Sequence, residues 1–347
     1  MLQRLKHWAS ARPVPPGYSL VPDAMLFDWQ RGEVGIEPST EPGSETAPPQ
    51  LAARLRLDDP ELQDLRRRYA RCDPRVTTPL VWEPGIVDAV TLAGFRGETA
   101  YVWQRRGALR SINAYALAAY YLFSLAGSGA SRAAERCAGL DEDGLFGAAV
   151  YDIAGRRVSR DLLDSAAELD CIDRELGLGA QGVTRILDIG AGYGRLAHRA
   201  LTAFPEIERY LCADAVPEST YLCGRYLAFR AVTDRAEVVP LDRIDAALVA
   251  APVQLAVNIH SFSECRPEAI GWWLELLARH QVPRLLVAPN AMDHGGRELL
   301  TNDCRPFQPL IERAGYRRRA VLPKYRDPVV QRYGLSPTMY HLFERSE

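Results

Sequence analysis

Two rhythms of apolar and polar positions divide this chain. From about residue 183 onward, short apolar runs alternate with longer stretches whose apolar residues recur every three to four positions. Runs at 185–190, 209–214, 236–240, 253–260 and 284–290 read as buried strands. The segments 195–204, 218–229 and 267–280 read as amphipathic helices between them, with a helical or looped stretch near 242–250. A short helix near 307–314 follows, and the two last apolar runs, RRRAVLP and PTMYHLFER, are expected to pair as closing strands. Strands and helices alternating in this way predict an α/β fold with a doubly wound, mostly parallel sheet and helices on both faces.

The first half follows another pattern. Residues 1–50 are rich in Pro, Gly, Ser, Thr and Glu, a composition that buries little apolar surface, so a loop-rich and partly disordered segment is expected. From Leu51 to Leu176 the periodicity is mainly helical. A strongly apolar run at 111–127 suggests a helix enclosed by others, and 161–176 reads as a helix stopped by Gly177. Residues 51–176 are therefore expected to form a mostly helical cap over a nucleotide-type domain at 177–347.

Composition narrows the class. With 47% hydrophobic and 25% charged residues the chain has the makings of a globular core, and a net charge of −2 gives no general pull toward nucleic acid or an anionic membrane. Only Lys6 and Lys324 are lysines among 42 basic residues, which most simply reflects coding bias. Seven dispersed cysteines without a CxxC pair suit reduced thiols in the cytoplasm. The first residues lack the apolar run of a signal peptide, and no apolar stretch reaches membrane-spanning length. A small-molecule partner is expected, with no nucleic acid and no membrane; a homodimer stays open.

The chemistry concentrates at Asp188-Ile189-Gly190-Ala191-Gly192-Tyr193-Gly194, which follows a strand and opens a helix. Glycines there let the backbone turn tightly and approach a ligand. A dinucleotide fingerprint, G-x-G-x-x-G, fails because Arg195 stands where the third glycine belongs. Asp214, at the tip of the next strand, can accept hydrogen bonds from both hydroxyls of a ribose. It marks a nucleoside; the loop spacing chooses which one.

An acid followed by G-x-G-x-G resembles the first motif of the class I S-adenosylmethionine (SAM)-dependent methyltransferases, a Rossmann-like family. By that resemblance Gly190, Gly192 and Gly194 pack against the amino-acid and ribose portions of SAM, Asp188 anchors the loop or the cofactor ammonium, and Asp214 holds the ribose. Ala191, Tyr193, Ala215, Leu241 and Asn258 would complete the cofactor contacts. More narrowly, ILDIGAGYGRLAH, NIHSFSEC and FRGETAYVWQ look like the sugar O-methyltransferases, a group with enzymes of polyketide gene clusters that methylate deoxysugars. The resemblance implies methyl transfer to a sugar hydroxyl, of a natural product or a glycan. A non-sugar natural-product hydroxyl, an NAD(P)-dependent oxidoreductase and a non-catalytic SAM-binding protein are the rival readings.

Methylating an alcohol calls for removal of its proton, and a His suits that task near neutral pH. His260, after the fourth strand, is the first candidate base, assisted or oriented by Glu264. His294, beside Gly295-Gly296 in a loop that reads either as a substrate lid or as a plain surface loop, is the second. Asp293, His294 and Glu298 could also hold a divalent cation, although their spacing fits no particular metal motif. Arg96, Tyr101, Trp103 and Gln104 offer aromatic faces and polar groups for a sugar, joined by Ser261. Ser165 and Glu168 would close the other side of the pocket. His198 is expected on a helix face, away from the chemistry.

Overall fold

The computed structural model describes residues 36–38, 48, 51, 54–97, 131–148, 150–153, 156–326, 331 and 337–346. A seven-stranded sheet organises the second half. Its strands are β4 (Arg185–Ile189), β5 (Arg209–Ala213), β6 (Ala236–Val238), β7 (Leu255–Ile259), β8 (Arg284–Ala288), β9 (Tyr316–Pro323) and β10 (Met339–Arg345). Their order is β6-β5-β4-β7-β8-β10-β9, with the first five and β9 running one way and β10, between β8 and β9, antiparallel to both neighbours. The expected doubly wound, mostly parallel, Rossmann-like sheet is thus present, and the two closing runs pair as expected. The order turns around between β4 and β7, and that switch point opens a crevice beyond the carboxyl ends of the strands.

Flanking the sheet are α6 (Arg195–Ala203), α7 (Pro217–Phe229), α8 (Ile244–Ala250), α9 (Pro267–Arg279) and α10 (Gln308–Arg313). α7 and α9 each carry Pro in the first turn, where a missing N–H costs nothing. The four inner strands β4, β5, β7 and β8 are almost fully buried, as parallel strands covered on both faces must be.

The N-terminal region is less uniformly helical than its periodicity suggested. It contains α1 (Pro60–Tyr69), α2 (Pro74–Thr77), α3 (Ala89–Ala93), α4 (Arg132–Ala138) and α5 (Arg160–Leu176), but also β1 (Ile36–Pro38), β2 (Val150–Ile153) and β3 (Arg156–Ser159). These three strands form a separate antiparallel sheet. β2 and β3 lie in the glycine- and aspartate-containing stretch 141–159, where the helical periodicity lapses. The apolar run at 111–127 lies outside the described residues.

One core runs without a break from Leu55 to Phe343, so the N-terminal helices share it with the sheet domain. α5 is the joint. Its N-cap Ser159 accepts the N–H of Leu162, Gly177 ends it at φ 69°, and every residue from Asp161 to Ile172 is buried. Four of those buried residues are acids, and arginines or the buried Lys324 meet them. Arg96 and Arg199 pair with Asp161, Lys324 with Asp164, Arg195 with Glu168 and Arg174 with Asp170. Buried charges are tolerated when paired in this way, and removing one partner is costly. Part of the arginine excess therefore has a structural use.

Candidate active site

A cavity of about 450 Å³ lies at the carboxyl ends of β4, β5, β7 and β8. The glycine loop forms its floor. Gly190 sits at φ 73°, in the left-handed region, and a Cβ there would overlap the Ser261 hydroxyl, so this position must be glycine on both counts. Most loop N–H groups already have acceptors within the protein. Gly190 and Ala191 donate to Ala213 O (2.8 and 3.2 Å), Gly192 to Asp214 Oδ2 (3.0 Å) and Gly194 to Ala191 O (2.9 Å). These bonds leave few loop donors for a ligand, although the first-turn N–H groups of α6 have no capping side chain.

Asp188, Asp214 and Glu264 all line this cavity. Burial pushes the Asp188 carboxyl up to about 7, against the pull of a hydrogen bond from Tyr210 Oη (3.1 Å). Asp214 is also pushed up to about 7 by burial, although it accepts the N–H groups of Val216 (2.8 Å) and Gly192. Glu264 is raised by burial too, with its hydrogen bonds from Trp82 and Asn290 pulling down. Three carboxyl groups held out of water favour a cationic, hydroxyl-bearing ligand and oppose a phosphate.

Opposite the loop, His260 ends β7 at φ 67°, a strained conformation for a residue with a side chain. Its N–H donates to Ala288 O (2.7 Å), and its Nδ1 is shielded from solvent with no hydrogen bond among the described residues. Burial lowers its pKa to about 4, Lys324 adds to that effect and Asp164 opposes it, so the ring is neutral at pH 7. The following turn is clasped to β8: Ser263 Oγ accepts Asn290 N–H (3.0 Å), and Ser263 O accepts Asn302 N–H (2.6 Å). Asn290, Asn302, Arg160 and Asp164 line the same cavity.

Of the residues singled out in the sequence, Asp188, Gly190, Ala191, Gly192, Tyr193, Asp214, Ala215, His260, Ser261 and Glu264 converge on this cavity. Others do not. Gly194 begins α6 and packs against Cys223 and Leu227, outside the cavity lining. Asn258 bridges the Ile189 carbonyl and the Phe262 N–H, tying β4 to the turn after β7. Leu241 gives its N–H to the Tyr69 hydroxyl (2.9 Å) of α1, which closes that position to a cofactor. Arg96 is fully buried among Glu142, Asp143 and Asp161, so its guanidinium has no face left for a sugar. Tyr101, Trp103 and Gln104 lie outside the described residues.

Glu264 does not orient His260; its Oε2 accepts Trp82 Nε1 (2.8 Å) instead. His294 stands away from the cavity, with Nδ1 accepting Glu298 N–H (3.3 Å). Its loop is pinned, since His341 Nε2 meets Gly296 O (2.8 Å) and Gly296 N–H returns to Ala291 O (2.9 Å). Among the described residues no three His, Cys, Asp or Glu side chains gather as a metal site, Asp293, His294 and Glu298 included. Ser165 and Glu168 serve Arg195, at 2.8 and 2.9 Å. His198 is buried on α6 against Tyr226 Oη (3.0 Å).

Sequence reasoning missed Trp82, Arg160, Asp161, Asp164 and Asn302 as cavity residues. Only α5 carried a usable signal: Asp161, Asp164, Ser165 and Glu168 recur every three to four residues, a polar stripe on a buried helix. No helix among the described residues is long and apolar enough to cross a membrane.

No protein-family model matches this chain, and no curated protein does. Solved structures do resemble it in part. The mitomycin 7-O-methyltransferase MmcR is 21% identical over 53% of this chain and 57% of its own, with a TM-score of 0.38. The riboflavin-analogue dimethyltransferase RosA from Streptomyces davawensis is 20% identical over 47% and 50%, with a TM-score of 0.36. The [4+2]-cyclase SpnF is 16% identical over 67% and 93%, with a TM-score of 0.38. This chain thus spans little more than half of MmcR, and likeness at this level settles neither substrate nor reaction.

Proposed function

We propose that this chain is a SAM-dependent methyltransferase acting on a hydroxyl oxygen, and that the hydroxyl belongs to a sugar. The observation that carries the cofactor class is the convergence of the strand-ending Gly190–Gly192 loop with Asp188, Asp214 and Glu264 on one cavity. A sulfonium nucleoside with an ammonium group fits such a site, and a dinucleotide with its pyrophosphate does not. The sheet adds support. A dinucleotide domain ends in a sixth parallel strand, whereas here the antiparallel β10 lies between β8 and β9.

In this reading Asp188 faces the ammonium, Asp214 accepts the ribose hydroxyls, and Ser261 and Gly190 shape the floor between them. SAM, when bound, supplies a methyl group open to in-line displacement by an oxygen. His260 lines the same cavity, and its neutral ring accepts the acceptor proton as the oxygen loses it. Because its pKa is low, it is a weak base, and alignment of the acceptor supplies much of the rate. Asn290, Asn302, Arg160 and Asp164 give the acceptor wall amides, a guanidinium and a carboxylate, the groups that hydrogen-bond vicinal hydroxyls.

The test is transfer of labelled methyl from SAM to a panel of deoxysugar glycosides and phenols. Label on the glycosides supports the sugar reading. Label on phenols alone overturns it while leaving O-methylation in place, and label on neither overturns both.

A further inference from the structure

A second cavity, of about 310 Å³, adjoins the first, and Trp82 and Glu264 line both. Residues 78–86, between α2 and α3, form one side of it, and the first turns of α7 and α9 form the other. This strap is anchored at its ends. Val76 and Val87 are buried, Arg75 pairs with Glu275 of α9 (3.1 Å), and Asp88 accepts the Thr91 N–H of α3 (2.7 Å). Between the anchors it is loose: no residue from 77 to 86 is buried. The backbone hydrogen bonds described within it are local, Glu83 N–H to Val81 O (2.9 Å) and Ile86 N–H to Glu83 O (3.2 Å). Its middle reaches the sheet domain through Trp82, whose Nε1 donates to Glu264 Oε2 (2.8 Å).

We propose that this strap is the gate of the first cavity, latched shut by the Trp82–Glu264 bond, and that the cofactor enters and leaves by way of the second cavity. The inference rests on the SAM reading of the first cavity and adds a route to it. Other walls are fixed more firmly. Buried ion pairs hold α5, and the sheet ladder holds the strand ends. A segment opens first where it buries few apolar groups and its backbone bonds are local, and the strap meets both conditions. Beneath it lies a cavity in place of packed side chains, so lifting it breaks the latch and exposes little apolar surface. Pro79 and Pro84 stiffen it, and Gly85, at φ 95° with open space around it, supplies the bend. Such a strap swings as a unit, and closing it over a bound ligand shuts the first cavity to water.

Surface plasmon resonance of the full chain with S-adenosylhomocysteine at pH 8 tests this. A latch stabilises the closed state with and without ligand, and Trp82→Phe keeps a ring while losing the donor. Binding and release rates should therefore rise together by about 10- to 100-fold, the worth of one hydrogen bond to a charged group. Because both rates move, Kd should stay within about threefold of wild type. Faster release with an unchanged binding rate would make Trp82 a plain ligand contact and overturn the gate, as would two unchanged rates. Hydrogen exchange on wild type reads the same device without a substitution. Amides of residues 78–86 should exchange faster than those of α9 in the free protein, and S-adenosylhomocysteine should slow them by about tenfold or more. Exchange as slow as in α9, or untouched by saturating ligand, would also overturn the gate. If wild type does not bind S-adenosylhomocysteine, the SAM reading falls and this inference with it.

Discussion

Cofactor affinity should fall steeply as the medium is acidified, because the site must bind with its carboxylates ionised. Asp214 has its pKa pushed up to about 7 by burial. Hydroxyl donors and a positive ligand stabilise the charged form, so binding lowers this pKa and releases a proton. The sign follows. Above pH 7 the carboxylate is already ionised and affinity is flat, and below pH 7 each pH unit costs about tenfold until the pKa of the complex is reached. Between pH 8 and pH 6, one group of this kind predicts about a tenfold loss of affinity. The nucleoside 5′-methylthioadenosine, which lacks the amino-acid portion, isolates Asp214. S-Adenosylhomocysteine also engages Asp188, likewise pushed up to about 7, and should lose up to about a hundredfold. Calorimetry at both pH values, in two buffers with different ionisation enthalpies, reads affinity and proton release together. Affinities that agree within about twofold at pH 6 and pH 8, with no proton released, would refute the reasoning, since one such group alone predicts about tenfold.

Other parts of the account can be checked separately. Tyr210→Phe removes the donor to Asp188 and should weaken S-adenosylhomocysteine by about 1–2 kcal/mol while leaving 5′-methylthioadenosine unchanged. His260→Ala should cut kcat by about 10²- to 10⁴-fold with cofactor affinity retained; full turnover in that variant would remove the base assignment. In wild type the kcat contributed by His260 should stay level from pH 8 to pH 6 and decline only as pH approaches about 4, where the ring protonates. Lys324→Met removes the buried partner of Asp164, leaving it the Arg160 pair and the charge of Arg195, and should cost about 3–5 kcal/mol in urea unfolding. A loss under about 1 kcal/mol would show that the pair is replaceable.

Much of the sheet was legible because buried parallel strands write continuous apolar runs, as RILDIG and RLLVAPN do. The floor of the site was legible for a related reason: Gly190 and Asp214 obey local backbone rules that sequence spacing records. The walls were not. Trp82 and Asn302 reach the cavity from segments far apart in the chain, and nothing local distinguishes them from other loop residues. Arg96 misled because an arginine near aromatics reads the same whether it meets a sugar or the carboxylates of Glu142, Asp143 and Asp161, and only tertiary packing decides. Leu241 failed similarly, since the Tyr69 hydroxyl that occupies its N–H lies on another helix.

The central claim is that this cavity takes a sulfonium nucleoside and not a dinucleotide. Calorimetry of the purified protein with S-adenosylhomocysteine, NADH and NADPH tests it most directly. The account predicts micromolar binding of S-adenosylhomocysteine alone, abolished in Asp214→Ala by loss of hydrogen bonds worth about 1.5–3 kcal/mol each. Binding of a nicotinamide dinucleotide in its place would contradict it.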